Sequence, residues 1–316
     1  MKKVLFALAA VVALAACSKE QTLVTPQPDA IGFGQPFIEN STRAVANEFN
    51  SIDSFQVWGD VTGNAGNIFL FNGALVERNG VEDGEAFTCS SQTEYWIPSA
   101  TYKFMAISGA NGVTPTTGFP TTISYTATGS NDLLLSEYVT VKTDDKSAPT
   151  TGVNANKCVP FTFKHLLSKV YFNFTNASTS NKCSYVISNI QISGAKETST
   201  YDITTEEWAT ATGDAPAFSF GDAGTLAKGA SATSEYACLF IPGSQDLSVS
   251  FTQQFLYNGE AVNAAETVTV PLTHAFAANG CYVINVELKA GSAITFTVDA
   301  NNGLNGWDST PNISIP

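Results

Sequence analysis

Two histidines, six cysteines and 28 acidic residues carry the chemistry open to this 316-residue chain. His165 and His274 could each serve as a general base, but only beside a partner supplied by the fold. Neither lies in a nucleophile elbow, a phosphate-binding glycine loop or a zinc-protease helix signature. The acidic residues are numerous enough for an accidental carboxylate pair, the minimum for glycoside hydrolysis, but no local pattern concentrates them. The chain is therefore expected not to be an enzyme. The run Asp299-Ala300-Asn301-Asn302-Gly303-Leu304-Asn305 begins like a calcium loop. Leu304 stands where such a loop needs glycine and no Glu closes the coordination, so a plain turn is expected, with no metal and no cofactor. Trp58, Trp96 and Trp208 could stack on sugar rings, although tryptophan in a strand-rich chain is more often core.

The cysteines divide by position. Met1-Lys2-Lys3 is a positive start, residues 4–16 are apolar, and Ala15-Ala16 precede Cys17. Thirteen apolar residues are too few to span about 30 Å of hydrocarbon as a helix, so residues 1–16 read as a cleaved export signal. Leu14-Ala15-Ala16-Cys17 is similar to the lipobox of bacterial lipoproteins, which makes Cys17 the expected lipidation site and new N-terminus. Cys89, Cys158, Cys183, Cys238 and Cys281 remain, an odd number with no metal-ligand spacing. Disulfides and buried free thiols are both open to them.

Positioning elements follow from composition and alternation. Charged residues are 14% of the chain, with 21 Phe, 10 Tyr and 24 Gly, a balance that favours strands and turns over helices. Loss of Lys2 and Lys3 with the leader would move the net charge from −13 to −15, leaving no basic stripe for nucleic acid. Residues 17–30, with Pro26 and Pro28, read as a tether. Ile31, Phe33, Gln35 and Phe37 alternate with Gly32, Gly34 and Pro36, which predicts a first strand. Hairpins are predicted at Asn72-Gly73 and Asn258-Gly259. The polar stretch 142–157, with Pro149 and Gly152, is the best boundary between an N-terminal unit, 31–150, and a C-terminal unit, 151–316. Both halves predict an all-β fold of short strands at sandwich spacing.

Together these marks resemble the fimbrillin-like lipoproteins of Bacteroidetes, the subunits of type V pili. The resemblance rests on Cys17 and its lipobox, on Ile31-Gly32-Phe33 followed by Ser41-Thr42-Arg43-Ala44, and on residues 161–170 (FTFKHLLSKV). It also rests on residues 282–288 (YVINVEL), Ile294-Thr295-Phe296 and Trp307. It implies two transthyretin-like β-sandwich domains in tandem, exported to the outer membrane and cell surface. It further implies that an arginine-specific protease cuts between Arg43 and Ala44, releasing the strand that carries Ile31, Phe33 and Phe37. The vacated groove would take a strand from another subunit, with Ile313 and Ile315 in the C-terminal tail as donor residues. The implied partners are other pilus subunits by strand addition, the outer membrane through the lipid before processing, and a host or bacterial surface ligand. A non-polymerised anchor, a tip subunit, or a monomeric glycan-binding surface lipoprotein are the alternative roles.

Overall fold

The computed structural model describes residues 29–38, 52–63, 66–78, 87–109 and 118–300. Every regular element among them is a β-strand, so the all-β expectation holds. Cys17, Arg43, Ala44, Ile313, Ile315, Trp307 and the calcium-like run after Ala300 lie outside the described residues.

The first sheet closes on itself. Ser54–Gly63 pairs antiparallel with Gly66–Arg78, which pairs with Phe87–Cys89. Phe87 pairs with Phe33, and Gly32–Phe33 and Phe37–Ile38 run parallel to Cys158–Val159 and Thr162–His165. Thr162–His165 pairs with Leu134–Ser136, that strand with Thr101–Ser108, and Thr101–Ser108 with Ser54–Gly63 again. The chain of partners thus ends where it began, with the leading segment and residues 158–165 each joining two of its ladders. Inside lies an apolar core that includes Phe33, Phe55, Val57, Phe71, Phe104 and Phe161.

Two strands of the ring are buried on both faces, which accounts for the unbroken apolar run of residues 104–107. Val57, Phe104 and Ala106 face the inner core, whereas Trp58, Met105 and Ile107 join a second core built mainly by the C-terminal half. Phe104 and its neighbours leave almost no room on the adjacent strand. A Cβ on Gly59 would stand 2.6 Å from Phe104 Cδ1 and 3.2 Å from Phe71 Cδ2. Glycine is therefore required there by close approach, at a point where the register with Gly66–Arg78 also shifts.

Asn72-Gly73 proves to be a bulge instead of a hairpin turn. Val57 pairs with Ala74 and Trp58 with Asn72, so Gly73 is the extra residue, with φ of 78°. A glycine in the left-handed region inside a strand is the usual way to insert one residue, and it leaves Gly66–Arg78 continuous across it. Asn258-Gly259 does form the tight turn, with φ values of 54° and 84° between Gly243–Tyr257 and Glu260–Ala261.

The polar stretch near residue 150 is also paired. Val139–Thr143 and Pro149–Thr151 form a hairpin attached to Thr101–Ser108, and Asp144 Oδ1 accepts the Lys146 and Ala148 N–H groups at 2.8 Å. Pairing into the first sheet then continues to His165. Beyond it, Ser168–Asn176 lies parallel to Cys281–Leu288, with Cys238–Phe240 and Ser231–Thr233 on its other side. A facing sheet is built on Cys183–Ser193, Gly243–Tyr257 and Glu266–Phe276. Edge-on ring contacts, Phe172–Phe220 at 4.8 Å and Phe174–Phe251 at 5.1 Å, join the two layers as a sandwich. One strand of the N-terminal half, Thr122–Thr126, pairs with Lys196–Asp202 of the other.

The packing around Gly59 yields a direct test. Gly59→Ala should lower stability by about 1–3 kcal/mol in urea unfolding, because the wall of Phe104 and Phe71 is itself fully buried and cannot yield. An unchanged midpoint would show that the rings have room to move.

Candidate functional site

The leading segment, residues 29–38, lies far along the chain from the strands it joins in the ring. Its backbone is bonded on both sides. Ile31 N–H donates to the Glu94 carbonyl at 2.8 Å and Trp96 N–H to the Asp29 carbonyl at 3.1 Å. On the opposite flank Gly34 N–H donates to the Val159 carbonyl at 2.9 Å and Phe37 N–H to the Phe161 carbonyl at 2.8 Å. Ala30 bridges Tyr95 as well. Lys157 and Asp29 pair at 3.4 Å, but both are exposed and the contact adds little.

Phe33 is the anchor. It is 1% exposed, and its ring lies 5.5 Å from Phe71, 6.0 Å from Phe161, 6.2 Å from Phe55 and 6.3 Å from Phe104. Three of these contacts are edge-on and one is stacked, the arrangements that aromatic quadrupoles favour. Ile31 is buried beside it, as the alternation predicts.

The alternation fails further on. Phe37, expected to point inward, is 37% exposed, and Ile38 is buried in its place at 5%. The cause is the break at residues 34–36, which are not strand: Pro36 cannot donate to a ladder, and the phase shifts by one residue across it. The inward set is thus Ile31, Phe33 and Ile38. At about 1.5–3 kcal/mol each, their burial contributes roughly 5–9 kcal/mol as an upper estimate. That is comparable with the whole stability of a typical domain, about 5–15 kcal/mol.

The other sequence candidates take structural places, several of them in or against the second core. His165 Nδ1 and Asp132 Oδ2 are 2.6 Å apart, the geometry of a base with its orienting carboxylate. The imidazole is 1% exposed, however, and the pair ties Thr162–His165 to the loop before Leu134–Ser136. Trp208 Nε1–H donates to the Leu166 carbonyl at 2.9 Å, pinning the next residue. His274 packs edge-on against Phe276 and Tyr282, and burial lowers its pKa. None of Cys89, Cys158, Cys183, Cys238 and Cys281 is in a disulfide. Burial pushes the Cys238 thiol up to about 12 and Cys281 to about 11, as expected of inert core thiols.

Trp58 and Trp96 are buried, so neither can stack on a sugar. An aromatic pair missed by sequence reasoning, Phe119 and Tyr138, lies nearer the surface with centroids 5.4 Å apart. Lys103 Nζ sits 3.6 Å from the Tyr138 ring centroid, so a cation already covers that ring face. Among the described residues no three His, Cys, Asp or Glu side chains are placed to hold a metal ion, and no helix is long and apolar enough to cross a membrane.

The phase shift gives a discriminating experiment. Phe33→Ala should cost about 3–5 kcal/mol in urea unfolding and Ile38→Ala about 2–5 kcal/mol. Phe37→Ala should cost only about 0.5 kcal/mol. Equal losses at Phe33 and Phe37 would place Phe37 inside the core.

Relatives share this architecture. A candidate cell adhesion protein from Bacteroides ovatus superposes with a TM-score of 0.50 at 17% identity, over 87% of this chain and 98% of that one. A fimbrial protein from Bacteroides vulgatus superposes with a TM-score of 0.51 at 10% identity, over 86% and 99%. At these identities the likeness is one of fold. No curated protein matches the chain at a significant level. The sequence from residue 42 to residue 310 matches the fimbrillin-like family, and over that span, most of its length, the chain belongs to it.

Proposed function

We propose that this chain is a structural subunit of a surface pilus, assembled by strand exchange after its leading segment is removed. The observation that carries the reading is the leading segment itself, a stave of a closed sheet whose release opens the ring along two strand edges. One of those edges is residues 158–163, the other Phe87 with residues 94–96. Between them the pocket of Phe33 would stand empty.

Sequence order supplies the rest. Arg43 follows Ile38 by five positions, so one cut there separates both the buried strand and the lipid-bearing Cys17 from the remaining chain. The family match starts at residue 42, beside the same bond. An incoming strand restores edge hydrogen bonds and apolar burial together, the physics of β-strand addition. In the tail, Ile313 and Ile315 alternate with Asn312 and Ser314 and are the donor residues of this scheme. Before processing, the acyl chains on Cys17 hold the precursor at the outer membrane, and several chains are needed for stable attachment. The fimbrial and cell adhesion descriptions of the fold relatives favour a cell-surface role of this kind.

Digestion of the folded precursor with an arginine-specific protease should yield an N-terminus at Ala44, followed by a ladder of oligomers. Arg43→Ala should keep the chain monomeric. Deletion of residues 312–316 should allow the cut but stop growth. Polymerisation of Arg43→Ala at the wild-type rate would remove strand release as the trigger and leave an anchor, a tip or a monomeric lipoprotein as the role. Replacing Cys17 with Ser should abolish lipid labelling, and unchanged labelling would exclude that site.

A further inference from the structure

The side of the leading segment that faces away from Phe33 is read by a rigid turn. Gly32 pairs with Cys158, and a Cβ on Gly32 would stand 3.1 Å from Cys158 Sγ. Two residues on, a Cβ on Gly34 would stand 2.6 Å from Asn154 Nδ2, a distance real Cβ contacts do not reach. Neither glycine has a positive φ, so what demands glycine is the space alone.

Asn154 is exposed, so it is its own turn that keeps the side chain from swinging away. Its Oδ1 accepts the N–H groups of Asn156 and Cys158, each at 3.0 Å, and its backbone N–H donates to the Cys158 carbonyl at 2.9 Å. With the oxygen held by two donors, the amide nitrogen must point at Gly34. Cys158 is looser, since its thiol makes only a long contact of 3.6 Å to the Asn156 carbonyl. The two positions therefore differ in strictness: small residues fit opposite Cys158, and opposite Asn154 only glycine fits without breaking the turn's hydrogen bonds.

We infer that Asn154 and Cys158 determine which strand the groove admits, selecting the pattern apolar, small, apolar, glycine. The inference rests on the proposal that the groove is vacated and refilled. It has a consequence for the tail. With Ile313 and Ile315 laid in the places of Ile31 and Phe33, Ser314 meets Cys158 and is accepted. Pro316 meets Asn154, and it also lacks the N–H that Gly34 gives to Val159. A tail in this register ends its pairing at Ile315, and a strand from another subunit with glycine in the fourth place seats more completely.

Two experiments separate the selection from the reading beneath it. In the uncut full-length chain, Gly34→Ala should lower the folding equilibrium constant roughly tenfold or more, about 1.4 kcal/mol. Asn154→Ser keeps an oxygen for the turn but removes the amide nitrogen, and in that background the Gly34→Ala penalty should largely vanish. Additive effects of the two substitutions would overturn the selection, since the cycle reads their coupling alone. In the second experiment, chain cut after Arg43 is offered labelled peptides of residues 29–38, either native or with Gly34→Ala. Native peptide should bind roughly tenfold or more tightly than the variant, and Asn154→Ser should erase the difference. Equal binding of both peptides to the wild-type chain would overturn the selection while leaving the groove refillable. Failure of the native peptide to bind at all would overturn strand exchange itself, and the selection with it.

Discussion

Closure of the first sheet by residues 29–38 is the constraint on which the rest of the N-terminal half depends. Without that stave, Phe87 and residues 158–161 become edges and the ring of phenylalanines around Phe33 opens to water. Free edges and exposed aromatic surface both invite pairing with another chain. Gly59 serves the same core, because any side chain there would collide with Phe104 and Phe71, two of the rings packed around Phe33. The segment is short, yet it carries an apolar contribution of the order of a domain's net stability. Such a piece is costly to lose, and on the proposed strand exchange that cost is what drives its replacement.

The far side of the ring limits how much could change if the stave were removed. Trp58, Met105 and Ile107 are buried against the C-terminal half, and the His165–Asp132 pair and the Trp208 to Leu166 hydrogen bond hold the crossing point between halves. Ser54–Gly63 and Thr101–Ser108 are thus clamped from outside whether or not Phe33 is present. On the proposed strand exchange the groove would be a cleft in a scaffold supported elsewhere, the condition for an empty state to persist long enough to be filled.

Much of this was legible in the sequence, and the misses have physical causes. Period-two alternation identified Ile31 and Phe33 as inward, but it could not carry past Pro36, where the phase slipped and Ile38 replaced Phe37. Asn72-Gly73 has the composition of a hairpin turn, and whether such a pair turns the chain or bulges it depends on the partner strand, which local sequence does not name. Val159, Phe161 and Phe163 alternate as a strand does, while the pairing of that stretch with a segment more than a hundred residues earlier is a long-range choice set by packing. Asn154 carried no visible signal at all. Its importance comes from a turn that fixes the amide beside Gly34, a contact between segments more than a hundred residues apart.

The central claim is that residues 29–38 form an integral yet replaceable stave, and amide hydrogen exchange tests it most directly. In the uncut chain the Gly34 and Phe37 amides should be protected like those of the inner strands, because both donate to carbonyls of residues 159–161. After the segment is removed, the Trp96 amide should exchange quickly, since its acceptor on Asp29 is gone, and should regain protection when a new strand fills the groove. Rapid exchange at Gly34 and Phe37 in the uncut chain, or a Trp96 amide that stays protected with the groove empty, would contradict the account.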